Sequence, residues 1–185
     1  MEIKELLKVL QGKTAPTILT DLINFDNTVS KDDWFSEGFE FFVDEENHLL
    51  ITYSEDVELL NGLIQFAEAE SGGSTYAFWI RDHEAKLDDA LIVALGGEGG
   101  THVVAENIKD LFKILTYDVS PMVDDESVSY YKDEDHEASK YSSEYKTWLA
   151  DNYDISSITN ADEIVKKAQE KYQDEYKAWF DKFFQ

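Results

Sequence analysis

Apolar side chains recur at helical spacing near both ends of the chain. The first set predicts a short amphipathic helix over residues 2–10, and the last predicts a helix that begins near Asn160. The first set comprises Ile3, Leu6, Leu7 and Leu10; the last comprises Val165, Ala168, Tyr172, Tyr176, Trp179 and Phe183. The last stripe is most simply a core-facing surface, and a partner-binding helix is the alternative. Thr17–Phe25 is also apolar, but it is too short to distinguish a strand from a helix.

Two β-prone runs and a further helix are predicted in the first half of the chain. The runs Phe39–Val43 and His48–Tyr53 are separated by the polar residues 44–47, which fits a hairpin with a four-residue loop. Ser54 is then placed to cap a helix over residues 55–70, because apolar side chains follow it at spacings of three and four.

Three strands and a capped helix are predicted next. Thr75–Arg81, Ala90–Leu95 and Thr101–Ala105 are β-prone, and the second is apolar on both faces, as a central strand would be. Asn107 then caps an amphipathic helix that carries Asp110 at its third position. Strands that follow one another through short turns predict an α+β fold, with a single, mostly antiparallel sheet flanked by helices and a helical C-terminal extension.

Residues 117–136 differ in character from the segments on either side. They carry two acidic runs, 124–126 and 133–135, which are typical of a solvated loop. We therefore expect an α+β core over residues 1–116, an acidic linker over 117–136 and a helical extension over 137–185 that packs on the core.

Net charge is the largest compositional signal. Forty acidic residues against sixteen basic ones give a formal charge of −24, and hydrophobic residues still make up 43% of the chain. A globular protein with this field repels nucleic acid and anionic membranes and attracts basic proteins. A role of the charge in solubility alone is the competing interpretation.

Several classes of chemistry are disfavoured by the sequence. The chain has no cysteine, its four histidines lack metal-site spacing, and no apolar stretch approaches the length of a membrane span. Its first residues are charged, which is unlike a secretory signal, so we expect a cytoplasmic protein. The glycines of 96–100 lead into a strand without a following Lys-Ser or Lys-Thr, which indicates a hairpin turn and not a phosphate loop. We expect no metal, no cofactor and no catalytic residue.

The segment from Tyr76 to Leu115 resembles the SUKH superfamily, which contains fungal cell-wall-synthesis regulators and many bacterial immunity proteins. The resemblance is carried by the pair Phe78-Trp79, the turn Gly97-Glu98-Gly99 and the run from Asn107 through Leu115. It implies a cytoplasmic bacterial antidote that binds and blocks a toxin domain. Many such toxins are nucleases, whose basic surfaces an acidic inhibitor would attract.

The leading hypothesis is therefore a non-enzymatic immunity protein with a basic toxin domain as its partner. Its candidate contact residues are acidic side chains in two connections and one aromatic anchor. They are Asp44, Glu45 and Glu46 in the first connection, Asp82, Glu84, Asp88 and Asp89 in the second, and Trp34. The alternatives are a regulatory scaffold for an endogenous partner and a hydrolase that uses two of the many carboxylates. The sequence leaves the oligomeric state open.

Overall fold

The computed structural model describes residues 1–31, 33–82 and 86–184. Over these residues, five strands form one antiparallel sheet in the order β1-β2-β3-β4-β5, and two short strands pair separately. The sheet strands are β1 (Glu40–Phe41), β2 (Leu63–Glu68), β3 (Thr75–Trp79), β4 (Leu91–Leu95) and β5 (Thr101–Ala105); the separate pair is β6 (Met122–Val123) and β7 (Val128–Ser129). The predicted α+β fold with an antiparallel sheet is confirmed.

Helices pack on both faces of this sheet. They are α1 (Ile3–Val9), α2 (Thr17–Phe25), α3 (His48–Tyr53), α4 (Val57–Gly62), α5 (Ile108–Leu115), α6 (Ser142–Tyr153) and α7 (Asp162–Phe180). A π-helical turn, Asp26–Ser30, extends α2, and single 3-10 turns occupy Leu87–Asp89 and Asp181–Phe184. The ambiguous run Thr17–Phe25 is thus a helix. Among the described residues, no helix is both long and apolar enough to cross a membrane.

The sheet is buried on both faces, and its side chains alternate between two cores. In β3, Tyr76 and Phe78 face the first core, whereas Ala77 and Trp79 face the second. The first core is closed by α1, α2, α5 and α6, and the second by α3, α4 and α7. The helical stripe predicted in α7 is confirmed as core-facing, since Tyr176 is fully buried against the ring of Trp79, with a centroid distance of 4.9 Å.

Local signals correctly predicted the β4–β5 hairpin and α5. The amide of Gly96 donates to the carbonyl of Gly100 at 2.9 Å, and Gly99 and Gly100 adopt φ values of +120° and +79° that favour glycine. The Asn107 side chain accepts from the amide of Asp110 at 3.0 Å, as the predicted cap requires. Both features depend on neighbours in sequence, which is why the pattern alone sufficed.

The predicted hairpin between Phe39–Val43 and His48–Tyr53 is wrong. Only Glu40–Phe41 is a strand in this region, and it pairs with β2, whereas His48–Tyr53 is the helix α3. The Asp44 carboxylate accepts hydrogen bonds from the amides of Glu46 and His48 in the turn that leads into this helix, whereas the N-cap residue Asn47 makes no side-chain capping bond. His48 was therefore also wrongly placed on a strand.

The predicted helix over residues 55–70 is correct only in its first part. Helix α4 ends at Gly62, and Leu63–Glu68 is the strand β2, which was missed. Leu63 through Ala67 are buried, and a short run buried on both faces has no alternation to distinguish it from a helix. The cap is Asp56, which accepts from the amide of Glu58 at 2.8 Å, and not Ser54.

Residues 117–136 pack against the core despite their exposed acidic runs. Tyr130 is buried, and its hydroxyl lies 3.0 Å from that of Tyr76 in β3. Asp118 is 1% exposed and accepts from the amides of Glu37 at 3.0 Å and Ser139 at 2.8 Å. The segment is thus tied to the core at several points, while the division of the chain into three parts stays a prediction.

Trp179 of α7 lies close against Gly62 at the end of α4. A Cβ atom at this position would lie 2.4 Å from Cζ2 of Trp179. We expect Gly62→Ala to lower the free energy of unfolding by about 1–3 kcal/mol, because the large indole ring must move. Denaturant unfolding followed by circular dichroism measures this change. In a Trp179→Ala background the same substitution should cost much less; an equal cost would contradict the proposed clash.

Candidate partner-binding cleft around Trp34

An open cleft of about 390 Å³ lies between the α2 extension and the edge strand β1. Trp34 stands on its wall and is 47% exposed, which is unusual for so large an apolar side chain. Its lining combines aromatic and acidic groups: Trp34, Phe35, Phe39 and Phe41 with Asp26, Asp33 and Glu40, together with Met1 and Lys31. We call this surface the Trp34 cleft.

Trp34 is exposed on a backbone that is held at both sides. Its amide donates to the Asp33 carboxylate at 3.0 Å, and its carbonyl accepts from the amide of Tyr141 at 3.1 Å. Phe35, the next residue, is buried and packs on the Tyr145 ring with a centroid distance of 4.7 Å. The indole is therefore presented from an anchored segment, which lowers the entropic cost of using it as a contact.

Two carboxyl groups of the Trp34 cleft have pKa values shifted in opposite directions. Burial raises the pKa of Asp26, although a hydrogen bond from the Ser30 hydroxyl at 2.9 Å partly offsets this effect. The hydrogen bond from the Lys140 ammonium, at 2.8 Å, lowers the pKa of Asp33. The cleft therefore holds one carboxyl group that is harder to ionise than usual and one that is easier to ionise.

A pair of like charges lies at the edge of the sheet beside the cleft. Glu40, on the cleft lining, is directly opposite Glu68 in the β1–β2 register. Burial, followed by repulsion from Glu40, raises the pKa of Glu68. Carboxylates directly opposite each other destabilise a sheet, so this pair lowers the stability of the fold at the β1–β2 edge.

The predicted contacts of the first connection, residues 44–46, fall into two groups. The Asp44 side chain is only 5% exposed and accepts from Nδ1 of His48 at 2.8 Å, so it stabilises the start of α3 instead of facing solvent. The Glu45 carboxylate is exposed and pairs with Lys8 of α1 at 2.7 Å. The Glu46 carboxylate is exposed and lies 3.1 Å from Nε2 of His48.

The predicted contacts of the second connection lie between β3 and β4. Asp82 is exposed, and Asp88 and Asp89 are exposed on the 3-10 turn that precedes β4. Glu84 lies outside the described residues. The two connections and Trp34 lie in three different stretches of the sequence. The predicted contact residues therefore do not form one continuous segment.

Sequence reasoning identified Trp34 but missed the carboxyl groups that accompany it. Glu40 lay within a predicted strand, and Glu68 lay within a predicted helix, where it had no cross-strand neighbour. Only the β1–β2 register brings the two side chains opposite each other. Asp26 carried no signal in sequence, because its raised pKa depends on burial against the fold.

Comparisons with family models, curated proteins and solved structures found no match for this chain. Within the described ranges, no group of three histidine or acidic side chains is arranged to hold a metal ion. The cleft is therefore interpreted from its own geometry and charge.

The Glu40–Glu68 pair predicts a stabilising substitution. We expect Glu68→Gln to raise the free energy of unfolding at neutral pH by about 0.5 kcal/mol, because it removes a like-charge contact. The pKa of Glu68 is raised in the folded state, so this gain should be present at neutral pH and vanish as the pH falls through the ordinary carboxyl range. Denaturant-induced unfolding of the wild type and the variant at pH 7 and pH 3.5 measures this difference in the free energy of unfolding.

The exposed loop residue Glu137 provides the matched control for this substitution. Glu137→Gln removes the same charge from an exposed loop position, and it should leave stability nearly unchanged. In a Glu40→Gln background the gain from Glu68→Gln should shrink. An unchanged gain would assign the effect to burial of Glu68 alone.

Proposed function

We propose that this chain is a non-enzymatic protein-binding module that recognises a basic protein through the Trp34 cleft. The most specific form of the proposal is a cytoplasmic immunity protein that binds and neutralises a cognate toxin domain. The observation that most supports this proposal is an exposed tryptophan beside like-charged carboxylates that do not stabilise the fold. Such a site suits a lysine or arginine of a partner, whose aliphatic stem packs on the indole while its charge approaches Glu40.

The electrostatic repulsion between Glu40 and Glu68 supports a binding role for this edge of the sheet. A partner cation placed near both carboxylates would relieve their repulsion and gain from each of them. Positions where a residue is unfavourable for the local structure around it are often functional sites. The aromatic floor formed by Phe35, Phe39 and Phe41 provides a rigid base for the exposed indole. Tryptophan is also among the residues that dominate binding energy at interfaces.

The distribution of charge supports a basic partner. The final 25 residues carry five basic and six acidic side chains, so almost all of the net charge of −24 resides in residues 1–160. Ion pairs within the chain already engage several basic side chains of the described residues: Lys8, Arg81, Lys140, Lys166, Lys167 and Lys171. A field of this sign would accelerate association with a basic domain by about 10–1000-fold, depending on ionic strength.

The resemblance of residues 76–115 to the SUKH superfamily supports the toxin-neutralising form of the proposal. Its bacterial members include immunity proteins that act by binding alone. Toxin domains that cleave nucleic acids carry basic surfaces, which are complementary to the charge of this chain. A regulatory scaffold would use the same surface for a basic partner made by the same cell, so the identity of the partner distinguishes the two forms.

The test is capture with the immobilised full chain from lysates of the source organism and its close competitors, washed at 0.15 M and 0.5 M salt. We expect one basic protein to be retained at both salt concentrations and identified by mass spectrometry. Trp34→Ala should weaken its affinity by at least about tenfold, because an anchoring aromatic is lost. Tyr131→Ala is the matched control, since Tyr131 is 66% exposed and lies outside the cleft.

The captured protein is then expressed in cells with and without this chain. Growth arrest that the wild type and Tyr131→Ala relieve, and that Trp34→Ala does not, supports the immunity form. A captured endogenous protein without toxicity supports the scaffold form. Retention of many basic proteins that all dissociate in 0.5 M salt, with no effect of Trp34→Ala, would overturn the proposal.

A carboxylate-based hydrolase is the second candidate, favoured by the opposite pKa shifts of Asp26 and Asp33 in one cleft. Groups shifted in this way can divide the roles of general acid and base. Under this alternative, Asp26→Asn would abolish hydrolysis of a susceptible glycoside while leaving capture of the basic protein intact. Hydrolysis by the wild type that persists in Trp34→Ala and is lost in Asp26→Asn would favour the enzyme.

A further inference from the structure

A second cavity, of about 350 Å³, lies where the end of β3 meets the C-terminal half of α7. Trp79 and Trp179 supply aromatic walls, and Arg81, Glu175 and Lys182 supply charge. Small-ligand sites typically combine an apolar lining with a few convergent polar groups, and this cavity lies at the lower end of their usual volumes, about 300–1000 Å³. We call it the Trp79 cavity; it shares no lining residue with the Trp34 cleft.

Arg81 is the only arginine of the chain, and aromatic rings hold it at the cavity. Its guanidinium carbon lies 5.7 Å from the centroid of Trp79 and 5.2 Å from that of Tyr172. One of its terminal nitrogens, Nη1, lies 3.4 Å from the Glu175 carboxylate, which is a long ion pair. A guanidinium has five N–H donors, so the contact with Glu175 occupies only part of its donor capacity.

Trp79 contributes a donor that the described part of the chain leaves without a partner. The residue is 2% exposed, and its indole Nε1 is buried with no hydrogen-bond acceptor among the described residues. Its ring packs against Tyr176 at 4.9 Å and Trp179 at 5.5 Å, which restricts reorientation. Because Nε1 lies beneath the cavity surface, the indole ring, and not its N–H group, is the part of Trp79 that a ligand in the cavity would contact.

The charge at the cavity favours a single negative group. Arg81 and Lys182 together exceed Glu175 by one positive charge. The helix that forms one wall belongs to the nearly neutral final 25 residues, so the acidic excess of the chain is concentrated elsewhere in sequence. Screening at physiological salt weakens the influence of charges that lie more than about 8 Å from the cavity.

We propose that the Trp79 cavity binds a small aromatic monocarboxylate. The carboxylate accepts hydrogen bonds from Arg81 and Lys182, and the ring of the ligand packs on Trp179. A carboxylate matches the guanidinium fork, and an aromatic ring matches the indole walls. This site goes beyond the proposed protein-binding function and does not depend on it.

The probe is phenylacetate, titrated into the ¹⁵N-labelled full chain while the indole N–H resonances of the four tryptophans are observed by NMR. We expect a saturable shift of the Trp179 resonance, because the ring of the ligand packs on its indole. Phenylacetamide, a neutral isostere, should bind at least about tenfold more weakly, since it cannot satisfy the cations. The Trp34 resonance should remain unchanged, which separates this site from the Trp34 cleft.

Two charge variants and one matched control complete the test. Arg81→Gln and Lys182→Gln should each weaken phenylacetate binding by at least about fivefold. Lys166→Gln should not weaken it, since Lys166 lies on the same helix but does not line the cavity. Thermal unfolding of each variant verifies the fold, and Lys182→Gln provides an independent test if Arg81→Gln destabilises the protein.

Three results would each overturn the proposal. The first is equal affinity for phenylacetate and phenylacetamide, and the second is wild-type affinity in both folded charge variants. The third is an unchanged Trp179 indole resonance at about 20 mM phenylacetate, a concentration that would detect dissociation constants of the order of 1–10 mM.

Discussion

Burial of the central sheet on both faces is the constraint on which the rest of the structure depends. The strands β3 and β4 are buried along their whole length, and their alternating side chains require a helical layer on each side. Helix α7 provides much of the second layer, where Tyr176 packs on Trp79. The C-terminal helices are therefore part of the cores that surround the sheet, although they come last in sequence.

The two edge strands of the sheet are protected in different ways, and the Trp34 cleft lies at the edge that β1 forms. On β5, the backbone amide of Val103 donates to the Gln173 side chain of α7 at 2.8 Å, so the helix also satisfies the strand's backbone. At the other edge, β1 has only two residues and carries Glu40. A short, charged edge strand resists pairing with other chains. The same carboxylate lines the Trp34 cleft, so one residue belongs both to the protected edge and to the candidate site.

Charge is distributed unevenly, and this distribution gives the two candidate sites opposite preferences. The acidic excess lies in residues 1–160, where the Trp34 cleft combines an exposed indole with the carboxyl groups of Asp26, Asp33 and Glu40. The final 25 residues are nearly balanced, and they meet the only arginine at the Trp79 cavity. One surface therefore suits a cation and the other an anion, which allows a strongly acidic protein to carry both.

Local patterns determined the elements whose signals lie within a few residues of one another. The cap at Asn107, the glycine turn at 96–100 and the amphipathic stripe of α7 were all recognisable in this way, as was the apolar run of β4. Each depends on a side chain or backbone angle that acts on a near neighbour, so the tertiary structure did not need to be known. The overall charge and the exclusion of cysteine chemistry follow from composition alone.

Tertiary structure decided the features that depend on distant partners. Strand β2 was indistinguishable from a helix because both of its faces are buried. His48–Tyr53 is a helix in which Leu50 enters the second core, and the Asp44 carboxylate accepts from the amide of its first residue. The Glu40–Glu68 contact and the orphaned Trp79 donor likewise exist only after the register is set and α7 is docked. The sequence by itself determined an acidic α+β chain with an antiparallel sheet. Long-range packing decided which of its charges and aromatic rings meet, because burial and cross-strand pairing join residues that no local pattern connects.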